Sequence, residues 1–169
     1  METAIHLDNI TLRKELLPGD LGYIAYMHGK QYAHELGYGL NFEGYVLEGL
    51  QEFARKYDTV KDRVWICEHN NQIIGCMIGF HRGQSVQLRY LIFLPEYRGV
   101  GLGKKLMNEF MAYMRELGYK KAYLWTTNEQ HAAIFLYTKY GFRLTEEKVS
   151  HAFDKALTEL RYDLVLPEA

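Results

Sequence analysis

The sequence predicts an α+β fold in a single domain, with a mixed central sheet and helices on both of its faces. The chain has 169 residues, the usual size of one domain, so we expect residues 1–169 to form one unit. Hydrophobic residues make up 48% and charged residues 24% of the chain, as in ordinary globular proteins. The apolar pattern predicts the order β-α-α-β-β-β-α-β-α-β-β. Its central strands are apolar on both faces, so helices must cover both.

The amino-terminal part contributes one strand and two helices. Residues 5–13 mix β-branched and polar side chains, which predicts a strand. Pro18-Gly19-Asp20 can start a helix. Apolar residues recur at spacings of three and four from Leu21 to Leu36, which predicts an amphipathic helix. A second helix fits Asn41 to Tyr57.

Two strands, Arg63–His69 and Gln72–His81, are predicted around the turn signal Asn70-Asn71. A simple register would place Cys67 and Cys76 as diagonal neighbours, which is poor disulfide geometry, so we expect two buried thiols. The same register divides the apolar residues into two faces: Trp65, Ile74 and Ile78 on one, and Val64, Ile66 and Met77 on the other.

The carboxyl-terminal half alternates strands and helices. We expect a strand at Val86–Leu94, a helix at Gly101–Leu117 closed by Gly118, a strand at Ala122–Thr127, a helix at Gln130–Tyr140, and an antiparallel pair at Phe142–Lys148 and Thr158–Leu166.

Charge and composition argue against several classes of partner. Lys and Arg number 20 and Asp and Glu 21, a net charge of -1, which gives no general attraction to nucleic acid or to an anionic membrane. No targeting segment or membrane span is recognisable, so a cytoplasmic protein is expected. No His, Cys or carboxylate cluster has metal-ligand spacing, so no metal is expected.

The segment from Leu91 to Lys104 carries the clearest chemical signal. A strand ends, a loop with Gly99, Gly101 and Gly103 follows, and the strongest predicted helix begins. The first N–H groups of a helix lack internal partners and lie at its positive end, so this loop is suited to a phosphate or pyrophosphate. On these residues alone, an ordinary strand-to-helix turn is an equal alternative.

Two motifs resemble the GNAT superfamily of N-acetyltransferases. Arg98-Gly99-Val100-Gly101-Leu102-Gly103 matches its R/Q-x-x-G-x-G/A signature, and residues 132–142 are similar to its A-x-x-L-Y-x-x-x-G-F element. More narrowly, the chain resembles acetyltransferase domains fused to MarR-type regulators, although this sequence contains no regulator domain. That narrower resemblance is carried by Leu88-Arg89-Tyr90, Leu124-Trp125-Thr126, His131-Ala132-Ala133 and residues 160–164.

The resemblance implies an acetyl-CoA-dependent enzyme that transfers acetyl directly to an amine on a small molecule or peptide. The backbone of Leu91, Ile92 and Phe93 would contact the pantetheine arm and the thioester, and Tyr137 would protonate the departing thiolate. A half-buried packing role is the alternative for Tyr137. The pyrophosphate would be held by Arg98, Gly99, Val100, Gly101, Leu102, Gly103 and Lys104.

Two further implications concern the whole chain. A non-catalytic acyl-CoA-binding sensor or interaction module is the alternative function. A homodimer is among the expected states, because many relatives are dimers.

The chain departs from the family pattern at two places. Gln130 stands where many members have an Asn that contacts the coenzyme, with Asn128 two residues earlier, and Trp125 stands where many have a glutamate base. Trp125 is instead expected in the acceptor site.

The proton acceptor must therefore come from elsewhere in the chain. His28, Tyr32 and Glu35 share one face of the first helix and are candidate acceptor-site residues, the alternative being an apolar stripe with a surface charge. Further candidate bases are Glu68, His131 and His151.

Overall fold

The computed structural model describes residues 4–168 as seven strands and four α-helices around one mixed sheet. The elements are β1 (Thr11–Arg13), α1 (Asp20–Leu36), α2 (Leu40–Lys56), β2 (Arg63–His69), β3 (Gln72–Arg82), β4 (Ser85–Phe93), α3 (Leu102–Glu116), β5 (Lys121–Thr127), α4 (His131–Lys139), β6 (Arg143–Ser150) and β7 (Leu157–Val165). This is the predicted order, and most bounds agree with the sequence-based ones within two residues.

The strand order in the sheet is β1-β2-β3-β4-β5-β7-β6. Strands β1 to β4 pair antiparallel, and so do β5, β7 and β6. The contact between β4 and β5 is parallel. Two antiparallel halves therefore meet at one parallel junction.

Helices cover both faces, as predicted. The apolar residues of α1 and α2, including Ile24, Val46 and Phe53, form one core with one side of the sheet. Those of α3, including Leu106 and Phe110, form a second core on the other side. Because the central strands are buried on both faces, the junction between β4 and β5 lies inside the molecule.

The first strand is shorter than predicted. Residues 7–9 form a 3-10 turn instead, and only Thr11–Arg13 pair with β2. The turn is closed by hydrogen bonds from Asn9 N–H to His6 O (3.0 Å) and from Ile10 N–H to Leu7 O (3.1 Å). An aspartate and an asparagine inside the segment favour such a turn over an extended strand.

The predicted hairpin register is wrong, because β3 contains a bulge. Asn70 and Asn71 form the turn with φ of 52° and 61°. Cys67 nevertheless lies opposite Gly75 rather than Ile74, and Cys76 lies opposite Ile66 rather than Trp65. One extra residue in a strand reverses the faces of all residues after it.

The bulge therefore exchanges two residues between the faces. Met77 joins Trp65 in the α3 core, and Ile78 joins Val64 in the α1–α2 core. Cys67 and Cys76 are both buried but lie in different cores.

Candidate active site

The sheet opens between β4 and β5. The two strands pair only where Ser85–Gln87 face Lys121–Tyr123, and beyond these residues they separate. Strand β4 carries a register shift in its pairing with β3, and Tyr90 within this stretch has φ of 58°. A bulge bends a strand, so it contributes to the separation. Leu91, Ile92 and Phe93 lie in the separated part.

The end of β4 presents backbone groups away from β3. Leu94 N–H donates to Ile74 O on β3 at 2.8 Å. Backbone groups alternate in direction along a strand, so those of Phe93 point to the other side. There Phe93 O accepts a hydrogen bond from Gln31 Nε2 of α1 at 3.3 Å, while Gln31 Oε1 is buried without a partner. Sequence analysis missed Gln31, which occupies a polar position in an otherwise ordinary helix.

The glycine loop before α3 exposes a set of backbone donors. Gly99 and Gly101 have φ of 78° and 91°, which favour glycine, and Gly101 forms the helix N-cap without a side-chain hydrogen bond. Among residues 4–168, none accepts from the N–H groups of Leu102, Gly103 or Lys104. The first turn contains no acidic residue. These features fit an anion such as a pyrophosphate.

Gly103 has a different role from the two glycines with positive φ. A Cβ on Gly103 would lie 3.2 Å from Leu136 Cδ2 of α4 and 3.7 Å from the Phe93 ring. The missing side chain therefore lets α3 pack closely against α4 and the end of β4.

Glu35 lies away from the place expected for it. Its carboxylate accepts from Arg98 Nη2 at 2.8 and 2.9 Å, which joins the end of α1 to the glycine loop. It is not among the residues that line the central cavity. The expected face of α1 is thus divided: His28 and Tyr32 face the cavity, and Glu35 pairs with Arg98 of the glycine loop.

A cavity of about 90 Å³ lies where the sheet opens. Its walls come from α1, α2, β4, β5, α4, β7 and the segment before β7. They include five residues expected in the site from the sequence, namely His28, Tyr32, Trp125, Gln130 and Tyr137, together with Leu91 of the expected strand. The cavity therefore brings together residues from His28 on α1 to Glu159 on β7.

Tyr137 is placed on the wall of this cavity by α4. Its side chain packs against Phe142 with ring centroids 6.0 Å apart. Burial, and secondarily Tyr32, raise the pKa of Tyr137 above its usual value, so the phenol keeps its proton at neutral pH. A protonated phenol at the cavity wall can act as a proton donor.

His28 does not fit the proton acceptor that we expected near neutral pH. Its Nδ1 lies 2.8 Å from Ile24 O and must carry a proton to donate to it, which leaves Nε2 as an acceptor. Burial lowers the pKa of His28 to about 4. The ring is therefore a weak base, and its edge contacts with Tyr32 and Tyr90 make it part of an aromatic wall.

A carboxylate that the sequence analysis missed does line the cavity. Glu159 stands on β7 opposite Thr127 of β5, and its side chain is only 16% exposed. Lys148 Nζ lies 3.9 Å from Glu159 Oε2, which is too far for a hydrogen bond between them. Only the β5–β7 register brings Glu159 here, and no local motif marks it.

The remaining sequence candidates lie away from the cavity lining. Glu68 accepts from Arg13 Nε at 2.9 Å on the β1 side of the sheet. His131 and His151 are exposed. Asn128 accepts from Thr158 N–H at 2.9 Å and so fastens β5 to β7.

A second cavity of about 360 Å³ adjoins the first. Both are lined by Tyr45, Gln87, Arg89 and Trp125. The outer cavity adds Glu48, Gly49 and Glu52 of α2. The two form a path from the open sheet along α2, on the side away from the glycine loop.

A sheet that opens beside an uncapped glycine loop, with a protonated tyrosine at the opening, defines a class of enzyme that transfers an acyl group from coenzyme A. The model of the acetyltransferase (GNAT) family matches residues 29–142. The chain belongs to the GNAT acetyltransferase family, and it is an acetyl-CoA-dependent N-acetyltransferase.

Relatives support this class. An N-acetyltransferase of Schizosaccharomyces pombe described as uncharacterized is 30% identical over 141 residues, which cover 82% of this chain and 85% of the relative. The N-acetyltransferase YjgM of Escherichia coli, also described as uncharacterized, is 33% identical over 112 residues, 62% of this chain and 67% of the relative.

Solved structures share the fold. A GNAT acetyltransferase from Elizabethkingia anophelis with acetyl-CoA bound has a TM-score of 0.67 at 18% identity, covering 94% of this chain and 99% of that one. Spermidine N-acetyltransferase from Vibrio cholerae, in complex with CoA and spermine, has a TM-score of 0.66 at 21% identity, covering 94% and 96%.

Two further properties concern the described part of the chain. No helix within residues 4–168 has the length and apolarity that a membrane crossing requires. No group of three or more His, Cys, Asp or Glu residues is placed to hold a metal ion in the same range.

Proposed function

We propose that acetyl-CoA binds across the opening between β4 and β5 and that the acetyl group passes directly to an amine in the central cavity. The observation that carries this proposal is the meeting of three features at the end of β4. Leu91 and Tyr137 line the cavity where β4 separates from β5, and Gly103 at the uncapped start of α3 lies against the Phe93 ring. Acetyl-CoA supplies the activated thioester. The protein holds the thioester and the amine together and transfers the protons. Holding two reactants in the right geometry by itself accelerates such a reaction greatly.

Residues 98–104 would hold the pyrophosphate, mainly through the free N–H groups at the start of α3. Arg98 would contribute by charge, and its pairing with Glu35 limits that contribution. Leu91, Ile92 and Phe93 would offer backbone groups to the pantetheine arm and, by a backbone N–H, to the developing oxyanion. Gln130, the N-cap residue of α4, lines the same cavity as Tyr137 and would contact the coenzyme there.

Two residues would move protons. An acceptor amine is mostly protonated at neutral pH, so it must lose a proton before it attacks. Glu159 is the carboxylate on the cavity wall, and we assign that proton to it. The amine nitrogen then bonds to the acetyl carbon, the carbon–sulfur bond breaks, and Tyr137 donates its proton to the thiolate that leaves. The second proton of the nitrogen passes to solvent, Glu159 releases the first proton to solvent, and Tyr137 takes a proton back from solvent.

The acceptor would enter through the outer cavity along α2, between Tyr45 and Trp125. His28, Tyr32 and Trp125 would form apolar walls around it. This entrance lies away from the glycine loop, so both substrates can be bound at once, as a direct transfer requires.

The Vibrio cholerae spermidine N-acetyltransferase in complex with CoA and spermine supports a small-molecule amine as the acceptor. A homodimer and a cytoplasmic location stay predictions. Sedimentation of the purified chain and fractionation of cells would test them.

Thioester cleavage with a panel of amines tests the proposed function. We expect release of free CoA thiol that depends on both the amine and Tyr137. Tight binding of acetyl-CoA without cleavage on any amine would support the alternative, a non-catalytic acyl-CoA sensor. Unaltered binding after disruption of the glycine loop would instead overturn the coenzyme site.

A further inference from the structure

The cavity contains an arginine that the proposed transfer does not use. Arg89 lies on β4 and lines both the central and the outer cavity. Within residues 4–168, its guanidinium forms neither a hydrogen bond nor an ion pair. It instead lies over two aromatic rings, 4.7 Å from the Tyr90 centroid and 5.9 Å from the Tyr45 centroid. A half-buried cation without an anion is uncommon, because buried charges are normally paired.

A second donor without a partner lies beside it. The hydroxyl of Tyr90 is buried and forms no hydrogen bond. A Cβ built on Gly49 would lie 2.3 Å from Tyr90 Oη and 2.5 Å from Arg89 Nη2, so the two donor atoms are neighbours over the bare backbone of α2. Burying such a hydroxyl without a partner costs free energy, so a ligand that accepts from it is favoured.

The same wall offers further donors. Thr126 Oγ1 is buried without a partner and lines the central cavity. Gln87 uses its carbonyl oxygen to accept from Arg82 Nε at 3.0 Å, which turns the amide NH₂ group away from that contact. Gln87 lines both cavities, so its NH₂ group is a candidate donor to a ligand.

Other charges on the path do not neutralise Arg89. Glu52 is held by Arg82 Nη1 at 2.5 Å and by Lys56 Nζ at 3.1 Å. Glu48 is exposed at the outer cavity and lies beyond ion-pair distance of Arg89. Glu159 lies in the central cavity, where the proposed transfer assigns it to the amine. Arg89 and Glu159 thus line the same cavity without forming an ion pair, so the cavity offers a cation and a carboxylate to a single ligand.

We propose that Arg89 and Tyr90 bind a carboxylate on the acceptor, so the substrate class is an amine that also carries a carboxylate, such as a free amino acid. This proposal rests on the proposed function, because it names the acceptor of the same site. A carboxylate has two oxygens and can accept from the guanidinium and the phenol together. The aromatic walls then contact the apolar part of the acceptor.

Matched acceptors test the proposal. The purified protein is assayed with acetyl-CoA and with L-phenylalanine, L-methionine and L-lysine, each compared with its carboxamide and with the amine that lacks the carboxylate. We expect kcat/KM for at least one amino acid to exceed that for its carboxamide by about 10- to 100-fold, the usual effect of a charged hydrogen bond. Equal values, or a preference for the carboxylate-free amines, overturn the carboxylate site and leave the transferase function intact.

Variants locate the effect. Arg89→Gln should remove the preference for the carboxylate by the same factor, with the Kd for acetyl-CoA unchanged. Gly49→Ala keeps the charge but places a methyl group against both donor atoms, and we expect it to reduce the preference in the same direction. Arg55→Gln, an exposed arginine of α2, is the matched control.

A binding readout separates this proposal from the proposed function. 3-Phenylpropionate, which has a carboxylate and no amine, should inhibit competitively against the acceptor in the wild type and about 10-fold more weakly in Arg89→Gln. An equal loss of activity on all amines in Arg89→Gln would assign the residue a purely structural role and overturn the proposal. Acetyl-CoA binding without turnover on any of the nine acceptors would overturn both.

Discussion

The two halves of the proposed active site, a coenzyme side and an acceptor side, are built differently. The coenzyme side comes from one continuous stretch, Leu91 to Lys104, and its functional groups are mainly backbone N–H and C=O groups. The acceptor side is assembled from side chains on α1, α2, β4, β5, α4 and β7, which meet only because the sheet opens between β4 and β5.

The difference has a physical consequence. A backbone site needs a particular loop conformation, so it depends on glycines with positive φ and on a helix start, and it tolerates many side chains. A side-chain site needs particular residues at particular register positions, and any of them can change without changing the fold. A common coenzyme and a variable acceptor are therefore compatible within one architecture.

We expect the largest effect from a change at Tyr137, which should lower the rate of chemistry without weakening coenzyme binding. Tyr137→Phe removes only the phenolic proton, so we expect kcat to fall by roughly 10²- to 10⁴-fold. The Kd for acetyl-CoA should stay within twofold, because the ring and its packing against Phe142 are kept. Pre-steady-state and steady-state kinetics measure the chemical step. Tyr26→Phe, on the exposed side of α1, is the control, and a wild-type rate of chemistry in Tyr137→Phe would leave Tyr137 a packing residue.

Glu159 tests whether the acceptor side supplies the base. Glu159→Gln should lower kcat/KM for the acceptor by about 10²-fold at pH 7, since the ammonium group then has no carboxylate to deprotonate it. The loss should shrink as pH rises toward the acceptor pKa of about 8 to 10, because free amine accumulates. A pH profile parallel to that of the wild type would exclude this role. Glu147→Gln on the exposed strand β6 should have no effect.

The sequence predicted the element order, which the structure confirms. It also placed the coenzyme side in the stretch from Leu91 to Lys104, and that assignment stays a prediction. The loop from Arg98 to Lys104 is a local pattern of glycines before a strong helix, and such patterns are visible in a single sequence. Glu159 and Arg89 were missed as site residues because their positions depend on the β5–β7 register and on the β4 bulge.

The errors have the same origin. A bulge moves the residues after it to the opposite face of the sheet, and no sequence pattern marks it here. This explains why Met77 and Ile78 lie in the opposite cores from those predicted. Glu35 was assigned to the acceptor side by helix spacing alone, and the contact with Arg98 that moves it to the coenzyme side joins residues 63 positions apart.

The buried His28 of the acceptor side should make the stability of the protein depend on pH. Burial lowers its pKa in the folded protein to about 4, below the ordinary value of 6.5. Between these values the unfolded chain binds the proton and the folded chain does not, so the free energy of unfolding falls as pH drops from 6.5 to 4. The loss amounts to at most roughly 3 kcal/mol.

Denaturant unfolding at several pH values measures this loss. His28→Gln should show a smaller decrease over the same range, and equal slopes in the two proteins would mean that His28 titrates normally when folded. His34→Gln, on an exposed histidine of the same helix, should keep the wild-type slope.

Glu35 should produce the smallest effect, and on the coenzyme side only. Glu35→Gln frees Arg98 and removes a negative charge beside the glycine loop, so we expect acetyl-CoA to bind about two- to fivefold more tightly, in the range of an exposed ion pair. Acceptor KM should not change. Titration calorimetry at low and high salt checks the sign, and a change in acceptor KM alone would return Glu35 to the acceptor side.

The most direct test of the account uses two glycines that share a backbone conformation. Gly101 and Gly83 have φ of 91° and 71°, and a Cβ on either meets no atom closer than 3.6 Å. A valine at either position is therefore strained to a similar extent, but only Gly101 precedes the free N–H groups of α3. Calorimetric titration with acetyl-CoA should show a loss of affinity of at least about 100-fold in Gly101→Val, from several backbone hydrogen bonds to a charged group, and an unchanged Kd in Gly83→Val. Equal affinity in both folded variants would contradict a backbone-built coenzyme site.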